Sequence, residues 1–265
     1  MTDLPDIDAY YQQLDEQTYL PSIHVQGAWN DHEQHMAPAA GLLAHALEQH
    51  DPRPDLQTSR ISYEILGLIG LGESRIECRT VRPGRTIELV TATMSVGGRD
   101  VIRASAWRLS RQDSSPVAGG LPASMPAPTE CAPFTDLSGW PGGFIRSLTA
   151  ARSAPDGEPG RQRVWLQSTC DLVEGVAVSP LAHFIRLVDS ANGIAARVDP
   201  RTWMFPNTDL QLHLWRQPTG DWTGLEASST FGPDGVGLTH TVLHDEQGPA
   251  GRAAQILTVR QMPAR

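Results

Sequence analysis

Not one lysine occurs among the 265 residues, so every fixed positive charge is one of 21 arginines. Schiff-base chemistry and phosphate-loop mechanisms, which depend on a lysine, are excluded by that absence. Cysteine is scarce as well. Cys78, Cys131 and Cys170 stand far apart with no CxxC pair, which argues against a disulfide framework and leaves buried or idle thiols as the reading. No apolar run reaches the roughly 18 residues that suggest a membrane-spanning helix. The N-terminal MTDLPDIDAYYQQLDEQ is polar and acidic and lacks the basic and apolar parts of a signal peptide, so a cytoplasmic location is expected. A net charge of -9 disfavours general nucleic-acid binding. It leaves open a phosphate-bearing ligand held by a few converging arginines.

With 40% hydrophobic and 19% charged residues, the composition is that of an ordinary globular core. The chain also states one layout twice. Ser59 to Arg111 reads as paired strands with turns at Arg82-Pro83-Gly84 and Gly97-Gly98-Arg99, and Asp221 to Arg260 repeats the arrangement with turns at Gly232-Pro233-Asp234-Gly235 and Gln247 to Gly251. Each set follows an apolar helical stretch, Pro38 to Gln49 and then Pro180 to Ala196. Leu42, Leu43, Ala46 and Leu47 give the first helix one buried face, and Ser179-Pro180 is a cap followed by a first-turn proline. The strand segments alternate, as antiparallel strands with one solvated face do. Residues 1 to 20 read as a polar lead-in, and Tyr19 to Trp29 as a first strand. Between the copies, prolines at 116, 122, 126, 128 and 133 mark a linker. The division expected is therefore 1–112, a linker at 113–138, and 139–265.

Short motifs say less. His32-Glu33-Gln34-His35 is one residue short of the HExxH zinc-protease pattern and reads as a solvated loop. His240 and His244 have no third partner to suggest a metal site. Gly67 to Gly72 is GxxGxG, not GxGxxG, and reads as a turn. No GxSxG elbow is present, so hydrolysis would use an activated water.

Three polar residues stand out weakly. Asp189 lies ten residues past the Ser179 cap in an otherwise apolar helix; it either points to solvent with Arg186 or sits as a general base at the edge of the buried face. Gln255 is polar inside an apolar strand, the usual sign of an outward edge face. Asn207 opens a strand, where asparagine is an ordinary turn residue.

The order and spacing of these segments resemble the TesB-like, type II acyl-CoA thioesterases. The resemblance runs through the helix Pro38 to Gln49, Thr80 to Arg85, Gly97 to Arg99, the Asp189 helix, Trp203 to Leu210, Trp222, and Ala254 to Arg260. It implies an α+β double hotdog, two antiparallel sheets each wrapped around a long helix. It also implies hydrolysis of acyl-CoA without cofactor or metal, and a homo-oligomer that engages neither nucleic acid nor membrane. The family's water-holding Asp, Thr or Ser, and Gln fall on Asp189, Asn207 and Gln255, so Asn207 departs from the family's hydroxyl. The expected oxyanion donors are backbone N–H groups near Ala37 to Ala40. Arg82, Arg85 and Arg260 are the first candidates for the CoA phosphates, at the mouth of an apolar tunnel between the halves. Two other readings stay open: an acyl-ligand binding protein that does not turn over, and a hydratase or dehydratase, which needs a His paired with a carboxylate that His183 is badly placed to provide.

Overall fold

The computed structural model describes residues 4–153 and 158–262. The first copy comprises β1 (Ala9–Gln13), β2 (Thr18–Pro21), α1 (Met36–Gln49), β3 (Leu56–Ile65), β4 (Ser74–Arg82), β5 (Ile87–Val96) and β6 (Arg99–Ser110). After it come β7 (Ala132–Pro133), α2 (Gly143–Arg146), β8 (Leu148–Arg152), β9 (Arg161–Ser168) and β10 (Asp171–Val173). The second copy continues with α3 (Pro180–Ile185), α4 (Ala191–Ile194), β11 (Trp203–Met204), β12 (Asp209–Leu214), β13 (Thr223–Phe231), β14 (Val236–Asp245), β15 (Gly248–Thr258) and β16 (Arg260–Gln261). Among the described residues no helix is long and apolar enough to cross a membrane.

The two sheets join edge to edge into one of 14 strands, ordered β10-β1-β2-β4-β5-β6-β3-β12-β15-β14-β13-β9-β8-β7. The seam is the antiparallel pair β3–β12, and the duplication is visible in its register. Adding 149 to the partners in the first copy reproduces those in the second: Cys78↔Ala92 becomes Ala227↔Thr241, Val90↔Ala106 becomes Thr239↔Gln255, and Ser62↔Ser105 becomes Gln211↔Ala254. Ser62 pairs with its own counterpart Gln211 across the seam, which puts a pseudo-twofold axis there.

Helix α1 is buried on nearly every side, including Ala37, Ala39, Ala40, Leu42, Leu43, Ala44 and Leu47. Each leucine so buried contributes about 2 kcal/mol. Tyr63 of β3 donates to the Ala40 carbonyl at 2.9 Å, tying helix to sheet. The guanidinium of Arg108, paired with Glu88 at 2.9 Å, donates to the Leu47, His50 and Asp51 carbonyls and closes the far end of the helix. Gly41 meets the second copy: a Cβ there would lie 2.7 Å from Arg186 Cβ and 2.9 Å from Arg186 Cα.

One expectation about the helices is corrected. The second helix is not continuous from Pro180 to Ala196; α3 and α4 are separated by a single 3-10 turn at Val188–Ser190. Valine is a weak helix former because its branched side chain loses rotamer freedom, and aspartate, serine and asparagine because their short polar side chains compete for the backbone; Asn192 Oδ1 does accept from Gly193 N–H. The polar lead-in is also part of the sheet and the core. It forms β1 and β2, Tyr10 and Tyr11 are fully buried, and Tyr11 donates to Gln34 Oε1 at 2.8 Å.

Gly41→Ala tests the packing of the two copies. Helix propensity alone favours the alanine by about 1 kcal/mol, but overpacking against the Arg186 backbone costs about 1 to 3 kcal/mol. A net loss of stability is expected in urea unfolding, and a gain would show that the helices can separate freely.

Candidate active site

Asp189, Asn207 and Gln255 meet although they come from three elements. The 3-10 turn between α3 and α4 holds Asp189, only 3% exposed. Asn207 lies just before β12 and bridges to Leu257 of β15. Gln255 sits on β15, which is an interior strand flanked by β12 and β14, and its side chain faces inward, not out from a sheet edge. Asn207 Nδ2 donates to Asp189 Oδ1 at 2.7 Å and Gln255 Nε2 to the same oxygen at 2.9 Å. Asn207 Nδ2 also reaches the Asp209 carbonyl, and Asp209 Oδ1 accepts from Ile256 N–H at 2.7 Å, which holds the strand end in place.

Both amides converge on Oδ1, so Oδ2 remains available. The buried Gln255 Oε1 has no partner within the chain among the described residues, and is an acceptor positioned beside that carboxylate. Burial raises the Asp189 carboxyl from its ordinary range to about 7, against the opposing pull of the Asn207 and Gln255 hydrogen bonds.

A fourth residue escaped the sequence reading. His35, taken there for part of a solvated loop, is the N-cap of α1: its Nδ1 accepts from Ala37 N–H at 3.1 Å. His32 is the exposed member of that motif. The His35 ring packs on Phe144 with centroids 4.2 Å apart, and Nδ1 lies 4.0 Å from Asp189 Oδ2. The two do not form an ion pair. Burial lowers the imidazole to about 4, so it is neutral near pH 7, and with Nδ1 accepting, the proton sits on Nε2. The signal that could have found His35 is positional, for it stands ten residues before His45 just as Ser179, the other cap, stands ten before Asp189.

The first turn of α1 has few donors left. Ala37 N–H is taken by His35, Pro38 has none, and Met36 N–H has no partner among the described residues. The oxyanion donors expected near Ala37 to Ala40 thus narrow to Met36.

These groups open onto a cleft of about 370 Å³ lined by Gly27 to Trp29, Glu33 to Met36, the turn Ile65 to Ile69, and Pro206 to Thr208. Behind it a narrow recess of about 30 Å³ lies among Leu137, Trp140, Ile145, Gly193 and Ile194. Trp29, Trp140 and Phe205 close this end edge to face, with centroids 5.0 and 5.2 Å from Trp29. Among the described residues no arginine lines either space. Arg82 donates instead to the Ile87 carbonyl, the Arg85 carbonyl accepts from Arg53, and Arg260 is on β16, paired with β11. The expected gathering of arginines at the mouth is not found. His183 lies by Arg186 and Asp221, away from the cleft.

Sequence models of the acyl-CoA thioesterase N-terminal and C-terminal domains match residues 25–109 and 128–259. The chain belongs to the acyl-CoA thioesterase family. Its fold is the double hotdog. A candidate thioesterase II from Thermobifida fusca is similar at a TM-score of 0.76 and 18% identity, over 98% of this chain and 99% of that one. A hot dog protein of unknown function from Alicyclobacillus acidocaldarius gives 0.75 and 15%, over 97% and 98%. An acyl-CoA thioesterase II from Mycobacterium marinum gives 0.65 and 15%, over 97% of each. No curated protein matches.

The raised Asp189 carboxyl carries a sign for stability. Its folded value of about 7 exceeds the unfolded value of about 3.9, so the folded state holds the proton more tightly. The stabilisation is full below pH 4 and is lost as pH rises towards 7. Asp189→Asn should remove that loss, so thermal melts of variant and parent should diverge between about pH 4 and pH 7 in the variant's favour. Parallel curves would mean that Asp189 titrates normally.

Proposed function

We propose that this thioesterase-family chain hydrolyses acyl-CoA with Asp189 as general base, and the single observation that carries the reading is the two-amide clamp on one oxygen of a buried carboxylate. Asp189 Oδ2 takes a proton from water, whose oxygen attacks the thioester carbonyl carbon. Met36 N–H, at the positive end of α1, and His35 Nε2–H are the donors for the developing oxyanion. The C–S bond then breaks, the acid leaves with the water's oxygen, and the proton on Asp189 passes to the CoA thiolate. Gln255 Oε1 orients the water, and Asn207 does by amide what a hydroxyl does elsewhere in the family. On the same reading, units 1–112 and 139–265, joined through 113–138, both contribute to the site.

A hydratase reading gains one observation, because His35 and Asp189 do pair a histidine with a carboxylate. Against it, His35 Nδ1 is committed to Ala37 and Oδ1 of Asp189 to two amides. A binder that does not turn over stays tied to Asn207. Release of free thiol from acyl-CoA separates hydrolysis from both, and loss of enoyl absorbance without thiol would mark the hydratase.

For hydrolysis, Asp189→Asn should lower kcat by about 10² or more. The parent's kcat/KM should fall as pH drops through about 7, since the base must be unprotonated. Unchanged turnover in the variant removes Asp189 from the mechanism.

The narrow recess favours short acyl groups. Trp140→Ala should raise kcat/KM for a long-chain relative to a butyryl thioester by about tenfold. An unchanged ratio would place the acyl chain elsewhere.

A further inference from the structure

The pseudo-twofold axis that sets Asp189 in one cleft creates a related place in the other copy. His45 stands there as the counterpart of Asp189, ten residues past the His35 cap. By the strand register, Thr58 answers to Asn207 and Ala106 to Gln255: the bridge Asn207↔Leu257 has its equivalent in Thr58↔Arg108, and Thr239↔Gln255 in Val90↔Ala106. Neither the carboxylate nor the amide pair is kept. Ala46, Gln49 and His50 follow the His35 cap at the spacings at which Ser190, Gly193 and Ile194, which line the acyl recess, follow Ser179.

This second place has not closed. It is a cleft of about 500 Å³, against about 30 Å³ for the recess it mirrors, with Tyr19, His45, Ile76 and Cys78 among its walls and Gln13, Gln17 and Gln49 on its rim. His45 is 6% exposed and its Nδ1 has no partner in the chain among the described residues, so a buried polar atom lies at this cleft unsatisfied. Among the described residues no arginine lines it, and its one carboxylate, Glu16, is exposed. Such a wall offers phosphate no fixed positive charge but suits neutral amides, whose donors and acceptors the glutamines and the imidazole can meet.

We propose that this cleft is a second, non-hydrolytic ligand site that takes a neutral, amide-bearing chain of the pantetheine type. The proposal rests on the thioesterase reading for its ligand class, because His45, Ala46, Gln49 and His50 on this wall are the counterparts of Asp189, Ser190, Gly193 and Ile194, which line the cleft and recess that would receive an acyl thioester carried on such an arm. A ligand amide here meets His45 but neither the carboxylate nor the amide pair of the catalytic cleft, so it is retained, not cleaved.

Pantetheine, which has no phosphate, is the probe. In a titration of the full chain followed by the imidazole NMR signals, those of His45 should shift saturably. The shift should be the same in Asp189→Asn, whose catalytic cleft is altered. Gln17→Ala and Gln49→Ala lie on the exposed rim and should fold normally; each should raise the Kd about fivefold, the value of one hydrogen bond. Ala46→Trp, if it folds, should abolish the shift by filling the cleft. His45 signals that stay still while those of His35 move would overturn the proposal, as would rim variants that bind like the parent. Thiol release from acyl-CoA by the same preparations keeps the two readings apart: hydrolysis with a silent His45 refutes the second site alone, whereas no hydrolysis with a responding His45 refutes the catalytic reading alone.

Discussion

The pairing of β3 with β12 is the interaction on which the rest of the molecule depends. It makes one sheet of two, and because Ser62 faces its counterpart Gln211, it fixes the axis that relates the copies. The helices then have no freedom of position. They cross where Gly41 presses on Arg186, close enough that even a methyl group is excluded. That contact brings the N-terminus of α1 up to the Asp189 turn, so His35 and Met36 from one copy line the same cleft as a carboxylate and amides from the other. Further locking comes from the segment before β8. Gly143 lies so near the Ile23 carbonyl that a Cβ would fall 1.8 Å from it, and the next residue, Phe144, supports the His35 ring.

Within that frame the chemistry is a balance between burial and hydrogen bonding. A lone carboxylate taken out of water would stay protonated over the whole working range. Two amide donors bring Asp189 back to about 7, where it can both accept and return a proton near neutrality. An arginine in the cleft would pull the carboxyl far lower and make it a poor base, so the displacement of Arg82, Arg85 and Arg260 from this region is consistent with that balance. The neutral His35 fits it too, since it adds a dipole beside Asp189 and no charge.

Much of the framework was legible from the residues. The alternating segments became β3 to β6 and β12 to β15, and the small-residue helix became α1, because period and turn residues are local properties. Asp189, Asn207 and Gln255 stood out only weakly as residues and were joined into one site through the family resemblance; each alone had an ordinary explanation, and only tertiary structure brings a turn, a strand opening and a strand interior to one point. His35 was hidden because a histidine cap has no pattern apart from the helix it caps. Tyr10 and Tyr11 were missed because the acidic residues around them outweigh two buried rings in any reading by composition. The break in the second helix came from residues whose weak helix preference was visible, but whose apolar spacing looked continuous. Nothing local marked the arginines, whose positions depend on which sheet edge each strand end occupies.

Joining two copies in a single chain has a consequence that a pair of identical subunits would not allow. When identical chains assemble, each substitution lands at both equivalent positions, so a change that harms one site harms the other. Here position 45 can become histidine while position 189 remains aspartate, and position 106 can shrink to alanine while position 255 keeps its amide. Selection can hold one half to its task and let the other drift or take on different work, while the shared seam keeps both folded.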